Sequence, residues 1–515
     1  MSILRNRRYI ASGIFIAVIV AIIMVYFNYL SPQHRAKYHL DFVHKSINEM
    51  HPAILEPDAT AFLDWHKNGY QKARELLLQV HTEADEAAVL RFYMAGYQDP
   101  HVNGYWDKRP YSKIDAKEDL WAGFVLAAKT NGYFVQYRKN GEQYPPENAK
   151  ILSCDQQPID ELLKQHFSPY FDLRWHILKA RDYSAKALTL MLSNTGILNR
   201  PQFATCDFLI NNNINTYTIY WSTISEIEAT HIAENYYSPY RLPLVTRLDE
   251  DTHWINVSDF QLNTPEAVES QTQLLTELLS INEMNTVILD TRGNQGGNST
   301  HGFDILSAIF SKDPEAKNYF LNHLQLKSQG SSGLFRVSWQ FYWSYDYMLN
   351  KTIAIQGAQS EQTLMLQDLL IRLKNALNRG EKSFYQAENS EHNNMPAPDD
   401  NWKSHMKLVL ITDRHCMSSC LDFVDWAKLI PNLLHLGEPT DADTIYTQVA
   451  DMQSKYSSES FIFRVPIKTN KRQREDNKPY IPDVIYEGNI NDDKLLKPWV
   501  FNQIEKHFNT PAIQD

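Results

Sequence analysis

Apolar residues recur at helical spacing from His34 to about Leu90. They predict three consecutive helices, which end near His51, Val80 and Tyr97. A polar segment, Gln98–Asn103, follows the third helix. The first part of the chain is therefore predicted to be a small helical region.

Short apolar runs replace the helical pattern from Trp121 to about Ser193. Asn131-Gly132 separates two of these runs, which predicts a β-hairpin. Together the runs indicate a small β-rich module. Its shape fits either a PDZ-like peptide-binding module or a spacer between two other parts of the chain.

Strand and helix patterns then alternate. A strand at Trp254–Val257, a helix at Pro265–Ile281 and a strand at Thr286–Leu289 predict a βαβ unit. A second buried strand, Lys407–Ile411, precedes a turn and a helix that starts near Ser418. The predicted fold class is α/β, with a packed sheet flanked by helices.

The same patterns divide the chain into an N-terminal anchor (1–33), a helical region (34–110), the β-rich module (111–205), an α/β core (206–310 and 405–515) and an insertion (311–404). The insertion is aromatic in its middle and helical from Glu361 to Leu377. It is interpreted either as a lid or substrate wall, or as an elaboration of the surface.

The first thirty residues have the pattern of a membrane signal. Arg5, Arg7 and Arg8 precede an uncharged, mostly apolar run, Tyr9–Leu30, that is long enough to cross a bilayer as a helix. Basic residues before such a run keep the N-terminus in the cytoplasm. Because Phe27–Leu30 is too bulky for a cleavage site, we expect an uncleaved single-pass anchor in the inner membrane of a Gram-negative cell, with the rest of the chain in the periplasm. The alternative is a buried core helix.

The 515-residue chain contains 43% hydrophobic residues and has a formal net charge of −11. Because no basic block offsets the acidic balance, the composition argues against a protein that binds nucleic acid.

Four cysteines fit an oxidising compartment. Cys154 is a possible disulfide partner of Cys206, and Cys416 a local partner of Cys420. Buried free thiols are the alternative for both pairs. The spacing of Cys416 and Cys420 also fits metal ligands, but no further His or Cys pair lies nearby, so no metal site is predicted.

Ser418 lies where the second strand–turn–helix enters its helix. A serine at such a junction either caps the helix with its hydroxyl or acts as a nucleophile. The free N–H groups and the positive dipole end of a helix N-terminus would suit a developing oxyanion.

Five segments, in this order along the chain, resemble motifs of the tail-specific, C-terminal-processing serine peptidases and of the core of tricorn protease. They are Asp99–His101, Trp254–Phe260, the Asp-x-Arg-x-Asn-x-Gly-Gly turn Asp290–Gly297, the nucleophile segment Cys416–Phe423 with Leu436–Thr440 after it, and Pro482-Asp483. The resemblance implies a crotonase-like core and a serine endopeptidase that cleaves exposed or unfolded peptide segments without a cofactor or metal.

Carried over to this chain, the family pattern makes Ser418 the nucleophile. The backbone N–H of Ser419 would donate one hydrogen bond to the oxyanion, and Gly296 or Gly297 would donate the other. Glycine permits a backbone to turn its N–H groups toward a bound carbonyl. A plain tight turn is the alternative for the glycine pair.

The general base differs from that of the tail-specific branch, which uses a lysine in a Gly-Glu-x-Thr-x-Gly-Lys segment. The corresponding segment here, Gly437–Asp443, has no lysine. The resemblance to the tricorn-like branch instead implies His101 as the base, although that branch has a serine where this chain has Pro100. Imidazole suits this task near neutral pH. Glu475, with Asp476 beside it, is the match for the family's third catalytic group, and a solvated charge run is the alternative.

Two further interpretations remain open from the sequence. His415 and Asp413 are alternatives for a base close to Ser418 in the chain. The missing lysine and Pro100 also fit an inactive peptide-binding or scaffold protein on a peptidase fold, and an esterase could use the same Ser–His pair.

Overall fold

The computed structural model describes residues 31–508 apart from 109–119, 192–196, 198–201, 225–231, 233–240, 283, 317–318, 320–332, 387–401, 403, 457–458, 471 and 473. The apolar run Tyr9–Leu30, on which the predicted anchor depends, lies outside these residues. None of the helices within the described part of the chain combines the length and the apolar character needed to span a bilayer.

The helical region contains the three predicted helices, the second of which is interrupted by a π-helical turn at Trp65–Gly69. A capping box between Thr82 and Asp85 starts the third, because each residue's side chain bonds the other's backbone N–H. The elements are α1 (Pro32–Met50), α2 (Thr60–Asp64), α3 (Tyr70–Leu76), α4 (Glu83–Ala95) and β1 (Asn103–Lys108).

The β-rich module is a sheet of order β3-β4-β5-β8-β9 with helices against it. The hairpin predicted at Asn131-Gly132 is confirmed as β3 and β4. The elements are β2 (Leu120–Trp121), β3 (Phe124–Lys129), β4 (Gly132–Arg138), β5 (Lys150–Cys154), β6 (Gln157–Pro158), α5 (Ile159–His166), α6 (Ser168–Phe171), α7 (Leu178–Thr189), β7 (Leu190–Met191), β8 (Thr205–Ile210), β9 (Asn213–Thr218) and β10 (Ser222–Thr223).

The predicted βαβ unit belongs to a six-stranded sheet of order β11-β12-β13-β16-β17-β20, parallel except at β11. Its alternate residues are buried on opposite faces, since Leu410 packs with α12 and Ile411 with α13. The elements are β11 (Leu244–Arg247), β12 (Thr252–Asn256), α8 (Pro265–Leu278), β13 (Thr286–Asp290), α9 (Ser299–Ile309), β16 (Lys407–Thr412), α12 (Ser419–Ala427), β17 (Leu434–Gly437), β20 (Val484–Ile485) and α13 (Asp493–Phe508).

Strands β13 and β16 are adjacent and parallel, with Asp290 opposite Ile411. The carboxyl ends of parallel neighbours lie at one edge of a sheet, where open α/β sheets bind their ligands. The register therefore brings the Asp290–Gly297 turn beside the turn that contains Ser418.

The insertion packs against the helical region. Its Phe341 and Leu370 share a core with Leu40 and Val89, and its short strands extend a sheet that includes β1. Because β1 pairs with β19, this sheet also holds the segment just before β1 against the C-terminal part of the chain. The elements are β14 (Leu334–Arg336), α10 (Trp339–Gln356), α11 (Glu361–Asn378), β15 (Ser383–Tyr385), β18 (Tyr446–Tyr456) and β19 (Glu459–Thr469).

Candidate active site

Ser418 lies at the sharp turn between β16 and α12. Its backbone has φ 58° and ψ −124°, a left-handed conformation that is costly for a residue with a side chain. It occupies the N-cap position of α12, yet its hydroxyl makes no capping hydrogen bond. The capping interpretation is therefore wrong, and the Ser418 hydroxyl is not used to stabilise the helix.

A disulfide between Cys416 and Cys420 encloses this turn, with both residues fully buried. The second predicted pair, Cys154 and Cys206, is also bonded and joins the neighbouring strands β5 and β8. The free-thiol alternative is thus wrong for both pairs. The disulfide thus joins the backbone two residues before Ser418 to the backbone two residues after it.

The glycine turn lies directly against Ser418. A Cβ atom on Gly296 would lie 2.8 Å from Ser418 Cβ and 3.0 Å from the Ser419 nitrogen. A Cβ atom on Gly297 would lie 2.1 Å from the carbonyl oxygen of Phe260. Both glycines also have positive φ, 91° and 145°, so only glycine fits either position.

The two glycines differ in their backbone hydrogen bonding. The Gly296 N–H already donates to Asn294 Oδ1 at 2.8 Å. Of the two glycines, Gly297 is therefore the one whose N–H could donate to an oxyanion. Ser419 holds the turn in place, because its hydroxyl donates to the Gly297 carbonyl at 2.6 Å. The Ser419 N–H belongs to the first turn of α12, where backbone donors have no partner within the helix.

His101 lies in the buried segment between α4 and β1. Asp99 positions it from two residues away: one carboxylate oxygen accepts the His101 backbone N–H at 2.9 Å and lies 3.5 Å from Nδ1, a charge contact rather than a full hydrogen bond. Asp99 is in turn held by Thr444, whose hydroxyl donates to it at 3.0 Å, and by His51 at 3.7 Å. His101 Nε2 is buried and has no hydrogen-bond partner among the described residues.

Burial alone would lower the pKa of His101, but the contact with Asp99 and the charge of Asp443 outweigh it and raise the pKa above its ordinary value. Burial would likewise raise the pKa of the Asp99 carboxyl, and its interactions with His101 and His51 instead hold that pKa well below its usual range. The pair therefore carries an ionised carboxylate beside an imidazole that protonates readily.

A charged cluster connects the His101 segment to the Ser418 helix. Arg472 contacts Asp443 at 2.9 Å and Asp422 at 3.5 Å, and Asp422 lies one turn after Ser418 on α12. Both Asp443 and Arg472 act on the charge of His101. No direct hydrogen bond joins His101 Nε2 to Ser418. The charges of Asp443, Arg472 and Asp422 are the link that the structure provides between the two segments.

Residues 251–485 match the model of peptidase family S41. The chain carries a peptidase family S41 domain. This match confirms the resemblance to the C-terminal-processing serine peptidases and supports a serine-type peptidase.

Solved structures of low identity share the fold. Mature CPAF is 11% identical, with 93% of this chain and 99% of that chain covered and a TM-score of 0.55. CPAF complexed with lactacystin is 12% identical, with 92% and 99% covered and a TM-score of 0.54. The tricorn protease aligns with a TM-score of 0.35 at 12% identity, over 92% of this chain and 37% of its own. No curated protein matches the chain.

Within the S41 domain, Glu475 is placed away from the His101 cluster. Its carboxylate is 72% exposed and pairs with Lys478 at 2.9 Å. This position fits the solvated charge run that was the alternative for this residue. Asp476 is nearer to the cluster, since the charges of Asp443 and Asp99 both act on its carboxyl.

The two local alternatives for a base, Asp413 and His415, lie in different surroundings. Asp413 accepts the backbone N–H groups of Gly293 at 2.9 Å and His415 at 3.0 Å, so it joins the glycine turn to the segment between β16 and Ser418. His415 is buried among positive charges. Burial, together with the charges of Lys179, Lys186 and Arg414, lowers its pKa although the charge of Asp413 opposes this.

Sequence reasoning gave no role to three residues whose charges act on His101: Asp99, Asp443 and Arg472. The signal for Asp443 was present, because Asp443 occupies the position of the lysine that the tail-specific branch uses. The signal for Asp99 lay within the Asp-x-His motif itself. Arg472 had no local signal, since its role depends on contacts with distant residues.

Proposed function

We propose that the chain is a membrane-anchored endopeptidase outside the cytoplasm, with Ser418 as its nucleophile and His101 as its general base. The backbone conformation of Ser418 carries this proposal. The turn is strained, faces a glycine pair, and contains a serine whose hydroxyl does not cap the helix. This arrangement gives the helix no evident stabilisation, whereas it suits a nucleophile.

In the proposed reaction Ser418 Oγ attacks the carbonyl carbon of the scissile peptide bond, and its proton passes to His101 Nε2. The carbonyl oxygen becomes an oxyanion that accepts hydrogen bonds from the N–H groups of Ser419 and Gly297. Collapse of this intermediate breaks the C–N bond, and the amine leaves with the proton from His101. Water then attacks the acyl ester and loses a proton to His101, which returns it to Ser418. Catalytic hydrogen bonds are often long before substrate binds, so the missing His101–Ser418 contact is compatible with this sequence.

Asp99 takes the orienting role in this proposal, in place of Glu475. Its contact with Nδ1 leaves Nε2 as the nitrogen that accepts the proton. An ionised carboxylate at that position also stabilises the imidazolium that forms during the reaction.

The predicted location depends on two separate observations. The Tyr9–Leu30 run with its arginine flank supports the membrane anchor. Two disulfides within the described residues support an oxidising compartment such as the periplasm. Release from membranes by alkaline carbonate would refute the anchor. Digestion of the chain after Leu30 by a protease confined to the cytoplasmic side would refute the outward-facing topology. The crotonase-type core and the PDZ-like character of the β-rich module stay predictions.

Labelling with a fluorophosphonate tests the nucleophile. We expect the wild-type chain to be labelled and Ser418→Ala to be unlabelled, with the rate of casein cleavage reduced on the order of 10⁴-fold or more. Ser299→Ala is the matched control, because Ser299 hydrogen-bonds Ser419 nearby but has no proposed chemical role, and it should still be labelled.

Absence of labelling in a folded wild-type chain would instead support the scaffold interpretation, which the missing His101–Ser418 contact favours. Turnover of a p-nitrophenyl ester without any cleavage of casein would support the esterase. Both outcomes would contradict the proposed peptidase.

A further inference from the structure

Helix α7 of the β-rich module turns charged side chains toward the S41 domain. Lys179, Asp182 and Lys186 lie three and four residues apart and therefore share one face of the helix. Lys179 and Asp182 are buried, and only 14% of the Lys186 side chain is exposed. Buried charges are rare unless they are paired. The ion-pair partners of these three side chains therefore show which segments of the S41 domain the helix contacts.

The first partner lies on the nucleophile side. Arg414, which precedes Cys416 in the Ser418 turn, contacts Asp182 at 2.6 Å and Glu438 at 2.6 Å. Lys186 contacts the other oxygen of Asp182 at 2.7 Å. Burial would raise the pKa of the Asp182 carboxyl, but Arg414 and Lys186 lower it to about 2. Asp182 is thus a fixed negative charge.

The second partner lies on the base side. Lys179 contacts Asp441 at 2.9 Å. Arg174, just before α7, contacts the same carboxylate at 3.3 Å and donates to the Ala442 carbonyl at 2.6 Å. The next residue is Asp443, whose charge acts on His101.

The module also fixes α7 itself. Asp182 Oδ1 accepts the backbone N–H of Ala128 on β3 at 2.9 Å, so the carboxylate that holds Arg414 also joins the helix to an edge strand of the module's sheet. The helix is therefore attached to a rigid sheet on one side and to two active-site loops on the other.

We propose that helix α7 positions the catalytic site: Asp182 holds the Ser418 turn through Arg414, and Lys179 holds the loop before Asp443 through Asp441. Both residues are positioning residues, since neither touches the reacting atoms. The proposal rests on the proposed function for its catalytic effect. Buried ion pairs contribute little net stability compared with apolar replacements, so their value here lies in fixing the geometry of two loops.

Two variants test this inference in the full-length chain, Asp182→Asn and Lys179→Met. We expect each to reduce kcat by on the order of 10- to 100-fold with KM within about twofold of wild type, because a small misplacement of a catalytic group is costly. Asp207→Asn is the matched control. Asp207 is a carboxylate of the same module that binds Ser153 and Thr216, so this variant should keep both constants.

A double-mutant cycle identifies the route. If Asp182 acts through Arg414, the combined variant Asp182→Asn/Arg414→Gln should be no slower than the worse single variant. Multiplying effects on kcat would contradict this route. A folded Asp182→Asn chain with kcat within twofold of wild type would overturn the proposal.

Hydrogen exchange provides a readout that needs no activity. In Asp182→Asn we expect faster exchange in 412–421 than in wild type, and in Lys179→Met faster exchange in 437–444, with no change in either for Asp207→Asn. If the wild-type chain cleaves nothing, this measurement still tests the positioning role. Unchanged exchange in both variants would refute the positioning role of α7, whether or not the chain is a peptidase.

Discussion

The two halves of the candidate site are held by different kinds of interaction. The nucleophile half consists of Ser418, the disulfide around it and the glycine turn, and is fixed by a covalent bond, short hydrogen bonds and backbone contact. The base half consists of His101 and Asp99, more than 300 positions earlier in the chain, and is held mainly by charges.

This difference predicts how each half responds to change. Close backbone packing does not adjust to an added atom, whereas a charge contact at 3.5 Å adjusts by small movements. Substitutions in the nucleophile half should therefore cause large losses of rate. Substitutions of charges that act directly on His101 should mainly move the pH dependence.

Among substitutions that keep the Ser418 hydroxyl, the largest effect is expected for Gly296→Ala. The added Cβ would meet Ser418 Cβ and the Ser419 nitrogen, so it would displace the nucleophile and an oxyanion donor together. We expect kcat to fall by about 10²- to 10³-fold with a native circular dichroism spectrum, as for loss of one oxyanion donor.

Gly357→Ala is the matched control for this variant. Gly357 has φ 88°, close to that of Gly296, but a Cβ atom added there would meet no atom of the described residues within 4 Å beyond its chain neighbours. It separates the backbone cost of an alanine at positive φ from the steric cost. A Gly296→Ala enzyme that loses no more activity than Gly357→Ala would contradict the packing described for the site.

How far the sequence predicts the site follows the same division. The strand, turn and helix around Ser418 and the glycine turn are contiguous segments with local patterns, so their positions followed from the sequence. Which glycine N–H is free did not, because the bond from Gly296 to Asn294 depends on the folded turn. Glu475 was chosen by its place in a motif, but its side chain points to Lys478 and solvent.

The fold shows a similar limit. Helix spacing predicted α1 to α4 and the βαβ unit, whereas the insertion's packing against α1 could not be predicted, since it depends on contacts between segments roughly 300 residues apart. The burial of Lys179 and Asp182 was equally hidden, because charged residues at helical spacing normally indicate a solvated face.

A smaller effect is expected from the disulfides. Replacing Cys416 and Cys420 with alanine removes a short loop closure, so we expect a loss of about 2 kcal/mol in the free energy of unfolding and about a tenfold lower kcat, because the Ser418 turn is no longer enclosed. Replacing Cys154 and Cys206, which are 52 positions apart, should cost more stability, about 4 kcal/mol, without changing kcat. Denaturant unfolding and steady-state kinetics on both pairs check this. Equal kcat in the two double variants would show that the local disulfide does not position Ser418.

The smallest effect is expected for Asp443→Asn, and it is a change of pH dependence. A general base works in its neutral form, so kcat/KM should fall as the pH drops through the raised pKa of His101. Asp443 contributes to that increase and Arg472 opposes it, so neutralising Asp443 should lower the pKa and move the acid limb of the profile to lower pH, while Asp99 continues to act on the ring. Asp451→Asn is the control, because Asp451 also pairs with an arginine, Arg464, but on an exposed part of β18 and β19. A limb that moves to higher pH in Asp443→Asn, or that moves equally in both variants, would mean that His101 is not the group whose titration limits the reaction.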